Sequence, residues 1–232
     1  MNPNQEPKWN AIFAWIETTD GIVYIDQTGN FTCIYRKVNK YFMILYCVDA
    51  NAILSQPMKV RSETELVTTY TTKPKKLTKH SFKPQIHHLY NKPPKSLKAF
   101  MTEMDEKFQL TPPHNHRVNA AKWLIYTFKK HLTSGVCSID PDLPFHLWCR
   151  LMQQADTTLN MLHASHMIPK LSAYKWTEGN FDFKSSPLAP PDRKVVIHEK
   201  PKQRESWAPH GNKAWYIGPS LKHYRWYRVY IT

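Results

Sequence analysis

The sequence predicts an α/β fold: a mixed sheet flanked by helices, followed by a small β-rich module. Three observations lead there. Short β-branched and aromatic runs come first, then alternate with longer runs of helical apolar spacing, the order expected of a sheet with helices packed on it. Of the 232 residues, 41% are hydrophobic and 13% aromatic, enough to fill a core and exclude wholesale disorder. After Gly179 the texture changes to Pro- and Ser-rich sequence and short strand-like runs. The boundary is expected near Phe183, giving a first domain over 1–182 and a small basic module over 183–232.

Trp9, Ile12, Phe13 and Ile16 are spaced for a short amphipathic helix over Lys8–Thr18. Ile22–Ile25 reads as a strand ending at Asp26, with a turn at Thr28-Gly29-Asn30. Tyr41–Val48 is apolar throughout, as in a strand buried on both faces, and Ala52–Leu54 returns after a turn as a third strand that closes at Pro57. Ser62 with Glu65 three residues later is a capping-box start for a helix to about Tyr70. Lys73–Lys83 reads as a basic connector and Gln85–Leu89 as a fourth strand. A helix over Ser96–Asp105 would bury Leu97, Phe100, Met101 and Met104, and Lys107–Leu110 would be a fifth strand, stopped by Pro112-Pro113. Two longer helices follow. One spans about Asn119–Leu132 with an apolar stripe of Ala120, Trp123, Leu124, Phe128 and Leu132, and the other spans Asp142–Leu162 with Leu147, Trp148, Leu151, Met152, Ala155, Leu159 and Leu162. In the last module, Lys194–Glu199, Ala214–Ile217 and Tyr224–Ile231 read as strands of a small barrel. The chain ends inside a strand-like run, as a piece of a longer chain would.

Charge and punctuation narrow the function. Thirty-two Lys and Arg stand against 18 Asp and Glu, a formal net charge of +14, which favours polyanions through steering and counterion release. The longest apolar run, Tyr41–Val48, falls far short of the roughly 20 residues of a membrane span, and Met1–Asn10 is too polar for a signal-peptide core. Cys33, Cys47, Cys137 and Cys149 are widely spaced, as buried thiols of a reducing compartment are. An intracellular protein is expected, nuclear if the source is eukaryotic, with no membrane and nucleic acid as its partner.

Several segments, taken in order, resemble the integrase core of retroviruses and retrotransposons. They are Tyr24-Ile25-Asp26-Gln27-Thr28-Gly29, then Lys40–Tyr46 through Asp49, then Pro112-Pro113-His114-Asn115-His116-Arg117-Val118-Asn119-Ala120-Ala121. Lys213–Pro219 with Tyr224–Tyr230 looks like the C-terminal module of retrotransposon integrases. The resemblance implies an RNase H-like sheet of five strands, DNA as the partner, and a dimer. It also implies three carboxylates holding two Mg²⁺ or Mn²⁺ ions about 3.5–4 Å apart to drive strand transfer.

Asp26 fits the first carboxylate. By the resemblance, the second belongs just after the fourth strand, where this chain has Tyr90, and the third in the helix after Asn119-Ala120-Ala121, where it has Lys122. Hard dications take oxygen ligands, which an amine cannot replace. A unit-charge pair at about 4 Å and an effective dielectric near 20 is worth about 4 kcal/mol, so exchanging Glu for Lys reverses the sign of a large contribution. With Asp26 as the one retained ligand, the sequence predicts that neither Mg²⁺ nor Mn²⁺ is held and that the catalysis is lost. Asp49, Glu103, Asp105 and Glu106 are the acids near enough in the chain to be weighed as replacements.

Binding to nucleic acid rests on distributed charge and outlasts the loss of ligands. Arg117, Asn119, Lys122, Lys129 and Lys130 along the expected catalytic helix are candidate phosphate contacts. In the tail, Arg225-Trp226-Tyr227-Arg228 interleaves cations and aromatics; as a strand it would put Arg225 and Tyr227 on one face, Trp226 and Arg228 on the other. The expected function is therefore that of an inactive, nucleic-acid-binding protein of retroelement origin. Two other readings stand beside it: an active polynucleotidyl transferase with an unorthodox site, and a domesticated protein-binding scaffold.

Overall fold

The computed structural model describes residues 20–30, 39–72, 84–111, 120–138, 140–143, 147–190, 193–198, 207, 209–220 and 223–231. The helix expected over Lys8–Thr18, the Lys73–Lys83 connector and Cys33 lie outside them.

The strands β1 (Ile22–Gln27), β2 (Tyr41–Cys47), β3 (Ala52–Met58), β4 (Ile86–Leu89) and β5 (Phe108–Leu110) form one sheet in the order β3-β2-β1-β4-β5. The meander pairs are antiparallel, β1 with β2 and β2 with β3; β1 with β4 and β4 with β5 are parallel, so the sheet is mixed as expected. Alternation sorts its side chains. Ile22, Tyr24, Phe42, Ile44 and Ile53 enter one core layer, whereas Val23, Ile25, Met43, Leu45 and Leu54 enter the other.

Helices α1 (Glu63–Thr72) and α2 (Lys95–Glu103) close the second layer with Leu66, Tyr70, Leu97 and Met101. Helices α3 (Ala120–Cys137) and α4 (Trp148–Leu162) close the first, where the rings of Phe42 and Phe128 meet edge-on at 5.4 Å. The apolar stripes differ from expectation in detail. In α3, Ala121 and Ile125 are buried and Trp123 is 68% exposed. Leu162 and Met104 also face solvent, at the ends of their helices. The observed α4 starts at Trp148, later than the expected Asp142.

The capping box at α1 is half formed. The Ser62 hydroxyl accepts from the Glu65 N–H at 3.3 Å, while the Glu65 carboxylate accepts from the Lys59 N–H instead of Ser62. The short helix α5 (Ala173–Glu178) was not anticipated, although Ser172 caps it through the Lys175 N–H at 3.1 Å and Gly179, at φ +88, ends it.

The β-rich module is a three-stranded antiparallel sheet, β6 (Lys194–His198), β7 (Gly211–Pro219) and β8 (Tyr227–Ile231), in that order. It leans on α4: Trp215 is buried in the first core layer, and Arg228 Nη1 donates to Gln153 Oε1 at 2.8 Å. The last strand starts at Tyr227, three residues later than expected. Arg225 sits before it in a turn at φ +52, so the alternation drawn through Arg225 does not hold.

Candidate functional site

Parallel pairing of β1 with β4 sets Ile25 opposite Leu89, so the next residues come to the C-terminal edge together: Asp26, still in β1 and paired with Ile44 of β2, and Tyr90, just past the end of β4. Asp26 is 6% exposed and its Oδ1 accepts from the Gln27 N–H at 2.8 Å. Leu89 is held just before Tyr90 by Thr111, whose N–H and hydroxyl both donate to the Leu89 carbonyl, at 2.8 and 2.9 Å. Burial, and after it the negative charge of Asp26, push the Tyr90 phenol up to about 12, with Arg61 opposing. At neutral pH position 90 therefore carries an un-ionised hydroxyl. That hydroxyl is buried, and among the described residues it has no hydrogen-bond partner.

Arg61 joins this end of the sheet, a residue that sequence reasoning missed. Its Nη2 donates to the Thr28 carbonyl, and its guanidinium lies 4.7 Å from the centroid of the Tyr41 ring. Thr28 is fixed in turn: its N–H donates to the Phe42 carbonyl at 2.9 Å, and its hydroxyl accepts from the Phe42 N–H at 3.0 Å. An exposed arginine just ahead of a helix cap has no spacing that marks it; only the register of β2 and β3 carries it back toward β1.

Lys122 lies exposed in the first turn of α3, next to Ala121, which is fully buried in the layer that holds Tyr24. Arg117, Asn119 and the Pro112–Val118 segment lie outside the described residues. Lys129 is half-buried. Lys130 is exposed, with Nζ 4.5 Å from the centroid of the Tyr126 ring. Arg225 Nε donates to the Lys184 carbonyl at 3.2 Å and its guanidinium stacks on Tyr224 at 5.4 Å. Arg228 is half-buried between β8 and α4; desolvation, and then Arg150, lower its pKa.

The other acids are engaged elsewhere. Asp49 sits at the opposite end of the sheet, accepting from the Gly21 N–H at 3.1 and 3.0 Å. Gly21 is needed there: its φ is +75, and a Cβ would stand 2.6 Å from Gln85 Cγ. Glu106 accepts from the Tyr70 hydroxyl in the second layer, beside His87. Glu103 and Asp105 are exposed at the end of α2 and just after it. His87 and His88 are both buried, with His87 against Tyr70 and His88 against the Tyr24 ring.

This donor set does not suit a divalent cation. Asp26 is one carboxylate, Tyr90 offers a neutral phenol, and the guanidinium of Arg61 already brings positive charge. Among the described residues, no three His, Cys, Asp or Glu side chains gather as a metal-binding group would require. Among the described helices, none is long and apolar enough to cross a membrane.

No protein-family model matches the chain, and no curated protein matches it by sequence. Solved structures match by shape. The HTLV-2 integrase catalytic core domain in complex with magnesium, in its dimeric form, superposes with a TM-score of 0.50 at 16% identity, over 69% of this chain and 97% of that one. A chain of the simian T-cell lymphotropic virus intasome in complex with the PP2A regulatory subunit B56 gamma superposes with a TM-score of 0.54 at 14% identity, over 99% of this chain and 82% of that one. At such identities the likeness is one of fold: this chain has the RNase H-like fold of an integrase core, with a small three-stranded sheet after it.

Proposed function

We propose that, on this integrase-core fold, the chain is a retroelement-derived protein that binds nucleic acid, DNA foremost, and carries out no metal-dependent strand transfer. The observation that carries the reading is that Tyr90 follows Leu89 where Asp26 follows Ile25, its paired neighbour. A phenol that burial keeps protonated stands beside the one acid at the edge where an integrase would gather carboxylates. The solved HTLV-2 core is described with magnesium; here the guanidinium of Arg61 brings positive charge to this edge instead. Net charge of +14 supports the partner. The division at residues 182 and 183, a dimer, and a nuclear location in a eukaryote belong to the same reading.

A second reading, a scaffold for a host protein, draws on the intasome structure solved with a phosphatase subunit. One experiment separates the readings: binding to labelled DNA followed by fluorescence anisotropy across a salt series, with a nicking and joining assay in magnesium and in manganese. The proposal expects affinity that falls steeply with salt and no DNA product. A flat response, or no binding, favours the scaffold. A DNA product that Asp26→Ala abolishes would establish an active enzyme.

A further inference from the structure

A cleft of about 620 Å³ lies where the small sheet meets α4 and α5, a size that suits a small organic ligand. It is lined by Arg228 of β8 and Gln153 of α4, by Tyr174 and Glu178 of α5, and by Phe181 and Asp182 just after α5. The segment after α5 is held in place. Asp182 Oδ1 accepts from the N–H groups of Lys184 and Ser185 at 2.8 and 3.2 Å, and the Ser185 carbonyl accepts from the Arg225 N–H at 2.6 Å, which ties this segment to the turn before β8. The rings of Tyr174 and Phe181 meet edge-on at 5.5 Å and give the cleft an aromatic surface. Arg228 is half-buried, and its hydrogen-bond partner, Gln153 Oε1, is a neutral amide. Among the described residues Arg228 has no ion pair, although burial and then Arg150 both oppose its charge. A desolvated guanidinium in that position is compensated by an anion that accepts from its fork. Glu178 is exposed on the same cleft and, among the described residues, likewise has no ion pair. A cation and an anion thus line one space without neutralising each other.

We propose that this cleft binds a dipolar ligand of the amino-acid or short-peptide class, its carboxylate on the Arg228 guanidinium, its ammonium toward Glu178 and an aromatic side chain against Tyr174 and Phe181. The inference goes beyond the nucleic-acid reading above and does not depend on it. A guanidinium takes a carboxylate through two parallel N–H donors, and a carboxylate takes an ammonium as a charge-assisted acceptor. A polyanion fits less well, because the carboxylates of Glu178 and Asp182 line the same space and repel it.

The test follows the Arg228 Nε–H signal of the full chain by NMR as L-phenylalanine or glycyl-L-phenylalanine is added, with calorimetry for the variants. Phenylalaninamide, phenylpropionate and inorganic phosphate serve as comparisons. A saturable shift with at least one of the two zwitterions is expected, and the tighter of them reports the spacing of the charges. Removing the carboxylate, as in phenylalaninamide, or the ammonium, as in phenylpropionate, should weaken binding about tenfold. Arg228→Gln should weaken the zwitterion about tenfold, and so should Glu178→Gln, which leaves phenylpropionate binding unchanged. Glu178 is exposed, so its variant decides the matter if Arg228→Gln loosens β8 from α4. No shift with either zwitterion overturns the inference. So does equal binding of the zwitterions, phenylalaninamide and phenylpropionate. Phosphate that shifts the signal as strongly as the zwitterions overturns it too, and returns Arg228 to the nucleic-acid reading.

Discussion

Asn160 of α4 satisfies both hydrogen-bonding groups of Ile53 on the edge strand β3: its Oδ1 accepts from the Ile53 N–H and its Nδ2 donates to the Ile53 carbonyl, each at 2.8 Å. Two residues on, the Asp156 carboxylate accepts from the Ser55 N–H at 3.1 Å with either oxygen. Helix side chains thus stand in for a sixth strand and blunt an edge that would otherwise invite pairing with another chain. Asn160→Ala would leave two backbone groups of Ile53 without partners. A loss of about 2–3 kcal/mol is expected in urea unfolding, with light scattering appearing near the transition as the opened edge associates.

Positions 90 and 122 can be tested by restoring acids. Tyr90→Asp with Lys122→Glu should create affinity for manganese that the wild-type chain lacks. Thermal unfolding reads it: at about 100 times the dissociation constant, ligand binding adds about 2.7 kcal/mol. No shift in melting temperature for the double variant would contradict the placement of these positions around Asp26.

His87 should make the fold acid-sensitive. Burial, then the neighbouring His88, lower its pKa to about 4 from an ordinary 6.5. The nearby Glu106 oxygen, 3.8 Å away, accepts from Tyr70 and does not overcome the burial. Between these two values the unfolded chain binds the proton and the folded one does not. Stability is therefore full above about pH 6.5 and declines as pH falls toward 4, by up to about 3 kcal/mol. His131, lowered by burial and then by His163, acts in the same direction. Urea midpoints across this range should flatten in His87→Gln.

Trp215 ties the small sheet to the larger domain. It is 7% exposed, and it packs in the core layer of Phe42 and Phe128 although it belongs to β7. Trp215→Ala should cost about 3–5 kcal/mol. Calorimetry of the wild-type chain should show one transition, because the module and the domain share that layer.

Lys129 and Lys130 lie on a helix whose described sequence contains no acid. If they neutralise phosphates, replacing both with Gln should lower the slope of log affinity against log salt by about one to two. An unchanged slope would put the DNA contact elsewhere on the surface.

The sheet was legible because β1 and β2 carry apolar residues on both faces and Gly, Pro or Asp at their ends. Asp26 was legible as the acid after the first such run. The position of Tyr90 came from resemblance alone, since nothing in periodicity says that β4 lies beside β1. Arg61 was missed because its role depends on a register set by three strands. Trp123 was placed inside because 3.6-residue spacing admits either of two adjacent stripes, and the helix turned Ala121 and Ile125 inward instead. Arg225 was placed on a strand because alternation was extended across a turn that only a positive φ reveals.

The arrangement at Asp26 also bears on history. Tyr90→Asp alone would set two carboxylates next to each other with no ion between them, where like charges repel. Lys122→Glu alone would add an acid with no partner to complete a site. On the proposed reading, each single change toward an acidic site brings no activity by itself, and the charge of Arg61 opposes a dication until both acids are in place. On that same reading, loss of function is a ratchet: easily entered by single changes and returned from only by several at once.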